Sequence, residues 1–132
     1  MDKKYAAQEA ITHSMMGSLG LKLIEEKEGF IRASMPVNDN TSQPFGVLCG
    51  GASLAFAEII AGYGSYLCCP EGFIPVGSSV SGNHVSSVRK APDVLVYAEA
   101  TALHLGRTTH LWNVDIKLSL IHISEPTRRT PI

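Results

Sequence analysis

Between Phe30 and Met35 the apolar Ile31, Ala33 and Met35 are separated by Arg32 and Ser34, and this period of two predicts a strand with one buried face. Leu21 to Ile24 reads as its partner, with the polar stretch Glu25–Gly29 turning the chain between them. Upstream, Ala6, Ala10, Ile11 and Met15 recur weakly at helical spacing, so Tyr5 to Met16 is expected as a short helix ending near Gly17. Pro36 to Gly46, rich in Asn, Asp, Ser and Pro, is a loop. From Gly51 to about Leu67 apolar residues crowd almost every side of the helical wheel, which predicts a long helix buried all round. Three more strands are expected. Ile74 to Val88 is rich in Val and Ser, with Gly77 and Gly82 marking bulges or points of close backbone approach. Val94–Leu105 and Thr108–Ile116 both alternate. One buried helix followed by antiparallel strands suits an α+β architecture in which a sheet wraps the helix.

Composition narrows the class. A chain of 132 residues is one domain, and no internal repeat or linker divides it. Hydrophobic residues make up 45% and charged residues 17%, as in an ordinary globular protein. A net charge of −1 without a basic face argues against nucleic acid as a partner. Gly50, Gly51, Gly62 and Gly64 interrupt the apolar stretch, so no membrane span is expected. The start, MDKKYAAQEA, lacks the apolar core of a signal peptide. Three cysteines, two of them adjacent, make a poor disulfide framework and point to a reducing cytoplasm. No Cys/His spacing resembles a metal site, and Cys68 and Cys69 read as core filling.

The chemistry concentrates in Gln43–Glu58, QPFGVLCGGASLAFAE. Glu58 is the one carboxylate in the long helix, and the nearest basic residues in sequence are Arg32 and Arg89. A buried acid without a neutralising neighbour is costly, and such groups are kept more often for chemistry than for packing. Burial disfavours the charged form of a carboxylate, and the positive end of a helix dipole favours it. At the helix start, Gly50 and Gly51 leave backbone N–H groups unpaired and open to close approach.

This segment resembles the hotdog-fold acyl-CoA thioesterases that carry a glutamate on the central helix. Their pattern, Q-P-[FY]-G-x-[LM]-H-G-G-[AV]-x-x-x-x-A-E, is met by Gln43, Pro44, Phe45, Gly46, Leu48, Gly50, Gly51, Ala52, Ala57 and Glu58. Cys49 stands where the histidine is usual. The likeness continues through VGSSVSGNHVSSV (Val76–Val88) and LHLGR (Leu103–Arg107), covering about Met15 to Lys117. It is nearest to the enzymes that cleave aromatic acyl-CoA thioesters, the phenylacetyl, 4-hydroxybenzoyl and 1,4-dihydroxy-2-naphthoyl types, the last of which belongs to menaquinone biosynthesis.

The resemblance implies a hydrolase with Glu58 as nucleophile or general base, Gly50 as oxyanion donor and Gln43 orienting the thioester or water. Cys49 touches the carbonyl side, and Gly51 and Gly62 line the acyl site. At Gly62 relatives often carry Ser or Thr, and Ser65, two turns past Glu58, is not expected to reach the same place. Coenzyme A contacts are implied for Asn83, His84, Val85, Ser86, His104, Gly106 and Arg107. Arg89, Lys90 and Arg107 supply cations for its phosphates. Trp112 reads as core or interface. No metal or redox cofactor is implied; acyl-CoA is the substrate. Two chains pair as a homodimer, or as a homotetramer, and share each site. The competing readings are a non-catalytic acyl-CoA-binding module, a sensor lacking a basic recognition helix, and a hydratase lacking its Asp–His pair on the helix.

Leu118–Ile132 departs from the domain. LSLIHISEPTR is similar to a translated transposase-type sequencing adaptor, so residues 1–117 are expected as the thioesterase domain and 118–132 as a non-native tail. The resemblance then implies that the family's last strand is missing.

Overall fold

The computed structural model describes residues 9–118. Expectations on Tyr5–Gln8 and on the tail beyond Leu118 lie outside the described residues. In chain order the elements are helix α1 (Met15–Ser18), strands β1 (Lys22–Lys27) and β2 (Phe30–Pro36), a 3-10 turn (Asp39–Thr41), helix α2 (Gly50–Cys68), and strands β3 (Leu95–Leu105) and β4 (His110–Lys117). The four strands form one antiparallel sheet in the order β1-β2-β3-β4. Helix α2 packs across β2, β3 and β4. The α+β architecture read from the sequence is therefore present.

Alternation places the core. Ile31 pairs with Ala100 and Ala33 with Ala98 across β2 and β3, and all four are fully buried with Met35 beneath α2. Phe56 and Ile60 from the helix complete the layer at 0% exposure, each worth roughly 1.5–3 kcal/mol of apolar burial. On the opposite face Arg32 stands between Glu25 and Glu99, its register partners on either side, and bonds to both, Nη1 to Glu25 at 2.8 Å. That ion-paired row occupies Arg32 away from α2.

Four expectations on the elements need correction. The N-terminal helix is interrupted: residues 9–12 are helical, but the chain breaks at 13–14 and restarts as α1, with Gly17 inside it. The turn between β1 and β2 is tighter than Glu25–Gly29, because β1 continues to Lys27 and Gly29, at φ 76°, takes the left-handed position. The third correction is the largest. Ile74–Val88 forms no strand ladder among the described residues. Among the described residues its alternation has no neighbouring strand to pair with, and Ile74 and Val76 are 74% and 82% exposed. The segment is held at its end instead: Leu48 N–H donates to Val88 O at 2.7 Å, Lys90 N–H to Gly46 O at 2.9 Å, and Lys90 Nζ reaches Asp39 Oδ1 at 2.7 Å. That ammonium holds the Asp39 carboxyl below its ordinary pKa.

Helix α2 is also not buried on all sides. Phe56, Ile60, Tyr63, Gly64 and Ser65 are buried, whereas Glu58 is exposed. The sheet covers only one stripe of the helix. None of the described helices is long and apolar enough to cross a membrane.

Gly64 sets how close helix and sheet come. A β-carbon built there would fall 2.5 Å from Trp112 Cη2 and 3.1 Å from Ile31 Cγ1. Trp112 cannot easily yield, since its Nε1–H donates to Ser65 Oγ at 2.8 Å. Gly64→Ala gains up to about 1 kcal/mol of helix propensity but overpacks the interface by roughly 1–3 kcal/mol. The expected outcome is a melting temperature lower by a few degrees; an unchanged or higher value would show that the Trp112 contact relaxes freely.

Candidate active site

Helix spacing divides α2 into two stripes. Phe56, Ile60 and Tyr63 face the sheet, while Leu54, Glu58 and Gly62 line an open cleft. The far walls of that cleft are the 73–88 segment and β4. The sequence expectation that Glu58 is buried fails here, because the stripe that carries it faces the cleft rather than the sheet. What survives is its isolation. Among the described residues no hydrogen bond or ion pair reaches the Glu58 carboxylate, which lies against the backbone of Gly77.

The helix start is built from Cys49, the N-cap, with extended φ −75° and ψ 133°. Its side chain makes no capping bond, and its carbonyl accepts from Ala52 N–H at 3.0 Å. Among the described residues nothing accepts the N–H of Gly50 or Gly51, so both are free donors at the positive end of the dipole. The His84 ring covers this spot, its Nε2 3.0 Å from a β-carbon built on Gly50. A side chain at residue 50 would displace it.

Gln43 opens a turn closed by Gly46 N–H to Gln43 O at 3.0 Å, with Gly46 at φ 87°. Its side-chain oxygen accepts from Phe45 N–H, which leaves the carboxamide NH2 as the outward donor. Gln43, Cys49 and Gly50 stand beside the cleft rather than among its lining residues. Gly51 is exposed, and a β-carbon on Gly62 would meet nothing within 4 Å, so that position opens straight into the cleft.

Asn83, His84, Val85 and Ser86 are exposed along the cleft wall. Gly106 and Arg107 form the β3–β4 turn, closed by Gly106 N–H to Thr109 O at 2.9 Å. His104 folds over that turn, its Nε2 2.5 Å from a β-carbon built on Gly106. Arg89 and Arg107 are exposed, whereas Lys90 is committed to Asp39. Cys68 and Cys69 are half-buried at the cleft margin rather than core filling, and neither is in a disulfide.

Sequence reasoning missed one polar cluster. Buried Ser65 meets Trp112 Nε1 and His110 Nδ1, the latter at 2.7 Å. The signal was present: His110 and Trp112 share one face of an alternating strand. Ser65 is thereby fully engaged and does not serve Glu58.

The family model described as "Thioesterase superfamily" matches residues 45–119. A 1,4-dihydroxy-2-naphthoyl-CoA hydrolase of Escherichia coli is 36% identical over 103 residues, 78% of this chain and 74% of that protein. A crystal structure of a thioesterase from Haemophilus influenzae superposes with a TM-score of 0.78 at 36% identity, covering 89% of this chain and 80% of that one. Two structures of one Staphylococcus aureus protein match at 34% identity with TM-scores of 0.73 and 0.74, covering 78% and 79% of this chain and 84% of theirs. One carries a glutamine-to-alanine change and the other a glutamate-to-alanine change fifteen positions further on. The hotdog arrangement of a sheet against one long helix is shared with these structures, and the chain belongs to the thioesterase superfamily as a thioester hydrolase.

Proposed function

We propose that this thioesterase cleaves an aromatic acyl-CoA of the 1,4-dihydroxy-2-naphthoyl type, with the Glu58 carboxylate acting at the carbonyl carbon and the Gly50 N–H holding the oxyanion. The observation that carries the reading is an unpartnered carboxylate on the cleft stripe of α2, eight residues after an unbonded N–H at the start of the same helix. Gln43 and Glu58 are also fifteen positions apart, the spacing of the two residues replaced in the Staphylococcus aureus protein. The E. coli relative supports the acyl class and a place in quinone biosynthesis.

In the proposed step the C–S bond breaks, the oxygen of one water ends in the carboxylic acid, and the sulfur leaves as CoA thiol. Glu58 acts directly, through an anhydride that water then opens, or by taking a proton from the attacking water. Either way negative charge builds on the carbonyl oxygen, where one aligned donor is worth roughly 3–4 kcal/mol. The Gln43 NH2 group orients the thioester or the water. Cys49, Gly51 and Gly62 border the acyl group. Asn83, His84, Val85, Ser86, His104, Gly106 and Arg107 are assigned to coenzyme A. Neither metal nor redox cofactor is called for, and the active unit is residues 1–117, in the cytoplasm.

Helix geometry supports a site made by two chains. Eight residues advance about 12 Å along an α-helix, too far for the Gly50 N–H and the Glu58 carboxylate of one chain to meet one carbonyl. A homodimer, alone or doubled into a tetramer, brings Gly50 of one protomer to Glu58 of the partner subunit.

Glu58→Ala is expected to lower turnover by at least about a thousandfold while retaining fold and coenzyme A affinity. Turnover within about tenfold of the parent would favour an acyl-CoA-binding module without catalysis. A second test removes only the donor. Proline suits the first helical position, and the extended Cys49 backbone is already compatible with a following proline. Gly50→Pro deletes the N–H and is expected to cost about a hundredfold or more in kcat, well beyond Gly50→Ala, which crowds His84 but keeps the donor. Equal losses in the two variants would move the oxyanion site elsewhere. Release of free thiol from a panel of benzoyl, hydroxybenzoyl, naphthoyl and aliphatic CoA esters is expected to rank an aromatic ester first.

A further inference from the structure

We infer that Gly77 is a positioning residue for the Glu58 carboxylate, kept as glycine because a side chain there would occupy the carboxylate's own place. The inference rests on the catalytic reading of Glu58. A β-carbon built on Gly77 overlaps Glu58 Oε2, lies 3.1 Å from Cδ and 3.6 Å from Cγ, and these are its three nearest atoms. Gly77 does not use the left-handed backbone region that Gly20, Gly29, Gly46 and Gly72 occupy. Its backbone is therefore open to any residue, and conformational freedom does not account for it. What the position supplies is an absent side chain directly opposite an exposed and otherwise unpartnered acid.

Glu58 ends in three freely rotating bonds and finds no hydrogen bond to fix it among the described residues. Contact with the Gly77 backbone is what limits where its carboxylate rests. A methyl group at residue 77 meets only the far end of a flexible side chain, so the chain keeps its fold and the carboxylate swings away. A displacement near 1 Å of a reacting group costs about a hundredfold in rate. Gly82, in the same segment, provides the comparison: a β-carbon there meets Leu54 Cδ2 at 3.1 Å and no carboxylate.

Kinetics and melting temperatures of Gly77→Ala, Gly82→Ala, Glu58→Ala and the Gly77→Ala/Glu58→Ala double variant decide the matter. For Gly77→Ala, kcat is expected to fall about a hundredfold with KM within about twofold and the melting temperature unchanged. Gly82→Ala is expected to keep kcat within about threefold of the parent. In the Glu58→Ala background, adding Gly77→Ala changes neither residual turnover nor melting, because the methyl then has room. A kcat for Gly77→Ala within about threefold of the parent overturns the inference while leaving Glu58 catalytic. An equal loss in Gly82→Ala overturns it too, as does a melting loss that persists in the double variant, since both trace the effect to the segment rather than the carboxylate. Undiminished turnover in Glu58→Ala alone overturns the catalytic reading, and the single variant identifies that failure.

Discussion

The rise of one helix governs this molecule. Gly50 and Glu58 lie on α2, and an α-helix fixes their separation at about 12 Å along its axis however the rest of the chain packs. A thioester carbonyl occupies a single point. On the proposed roles, the donor at the helix start and the acid two turns later serve one reaction when the helices of two chains present different ends to the same substrate. The proposed catalytic unit is for that reason a pair of chains.

The rest of the fold serves to hold that helix with one stripe free. Ile31, Ala33, Met35, Ala98 and Ala100 make a flat apolar bed, and Gly64 lets Trp112 and Ile31 come up against the helix backbone. Close packing on that side leaves Leu54, Glu58 and Gly62 facing outward. The loop 43–49 is tied to 88–90 by backbone bonds, and the same tie carries the 73–88 segment back over the cleft. His84 thus arrives above Gly50, and Gly77 above Glu58, through contacts whose anchor lies outside the helix.

Most of the sheet could be read in advance because it depends on local alternation. Ile31, Ala33 and Met35 were separable from Arg32 and Ser34 by period alone, and the structure buries the first three while Arg32 meets Glu25 and Glu99. The chemistry-bearing segment was legible from Gln43 to Glu58 because the helix start and the acid are close in sequence. Burial of Glu58 is not legible for a physical reason: the apolar content of a helix does not say which stripe the sheet covers, and Glu58 lies on the stripe that faces the cleft. The strand expected over Ile74–Val88 is absent because alternation alone supplies no pairing partner, and among the described residues no strand lies beside it. The Ser65–His110–Trp112 cluster and the Gly77–Glu58 contact join residues 45 to 47 and 19 positions apart, beyond any local pattern.

Subunit mixing tests the shared site most directly. Glu58→Ala and Gly50→Pro chains, each strongly impaired alone, are unfolded together and refolded as mixed dimers. One of the two sites in each hybrid then combines an intact Gly50 N–H from the first chain with an intact Glu58 from the second. The account predicts that thioester hydrolysis returns on mixing, approaching about half the parental rate per hybrid dimer if the two sites act independently. Mixed dimers that form but stay as impaired as their parents would contradict it, and would place donor and acid in the same chain.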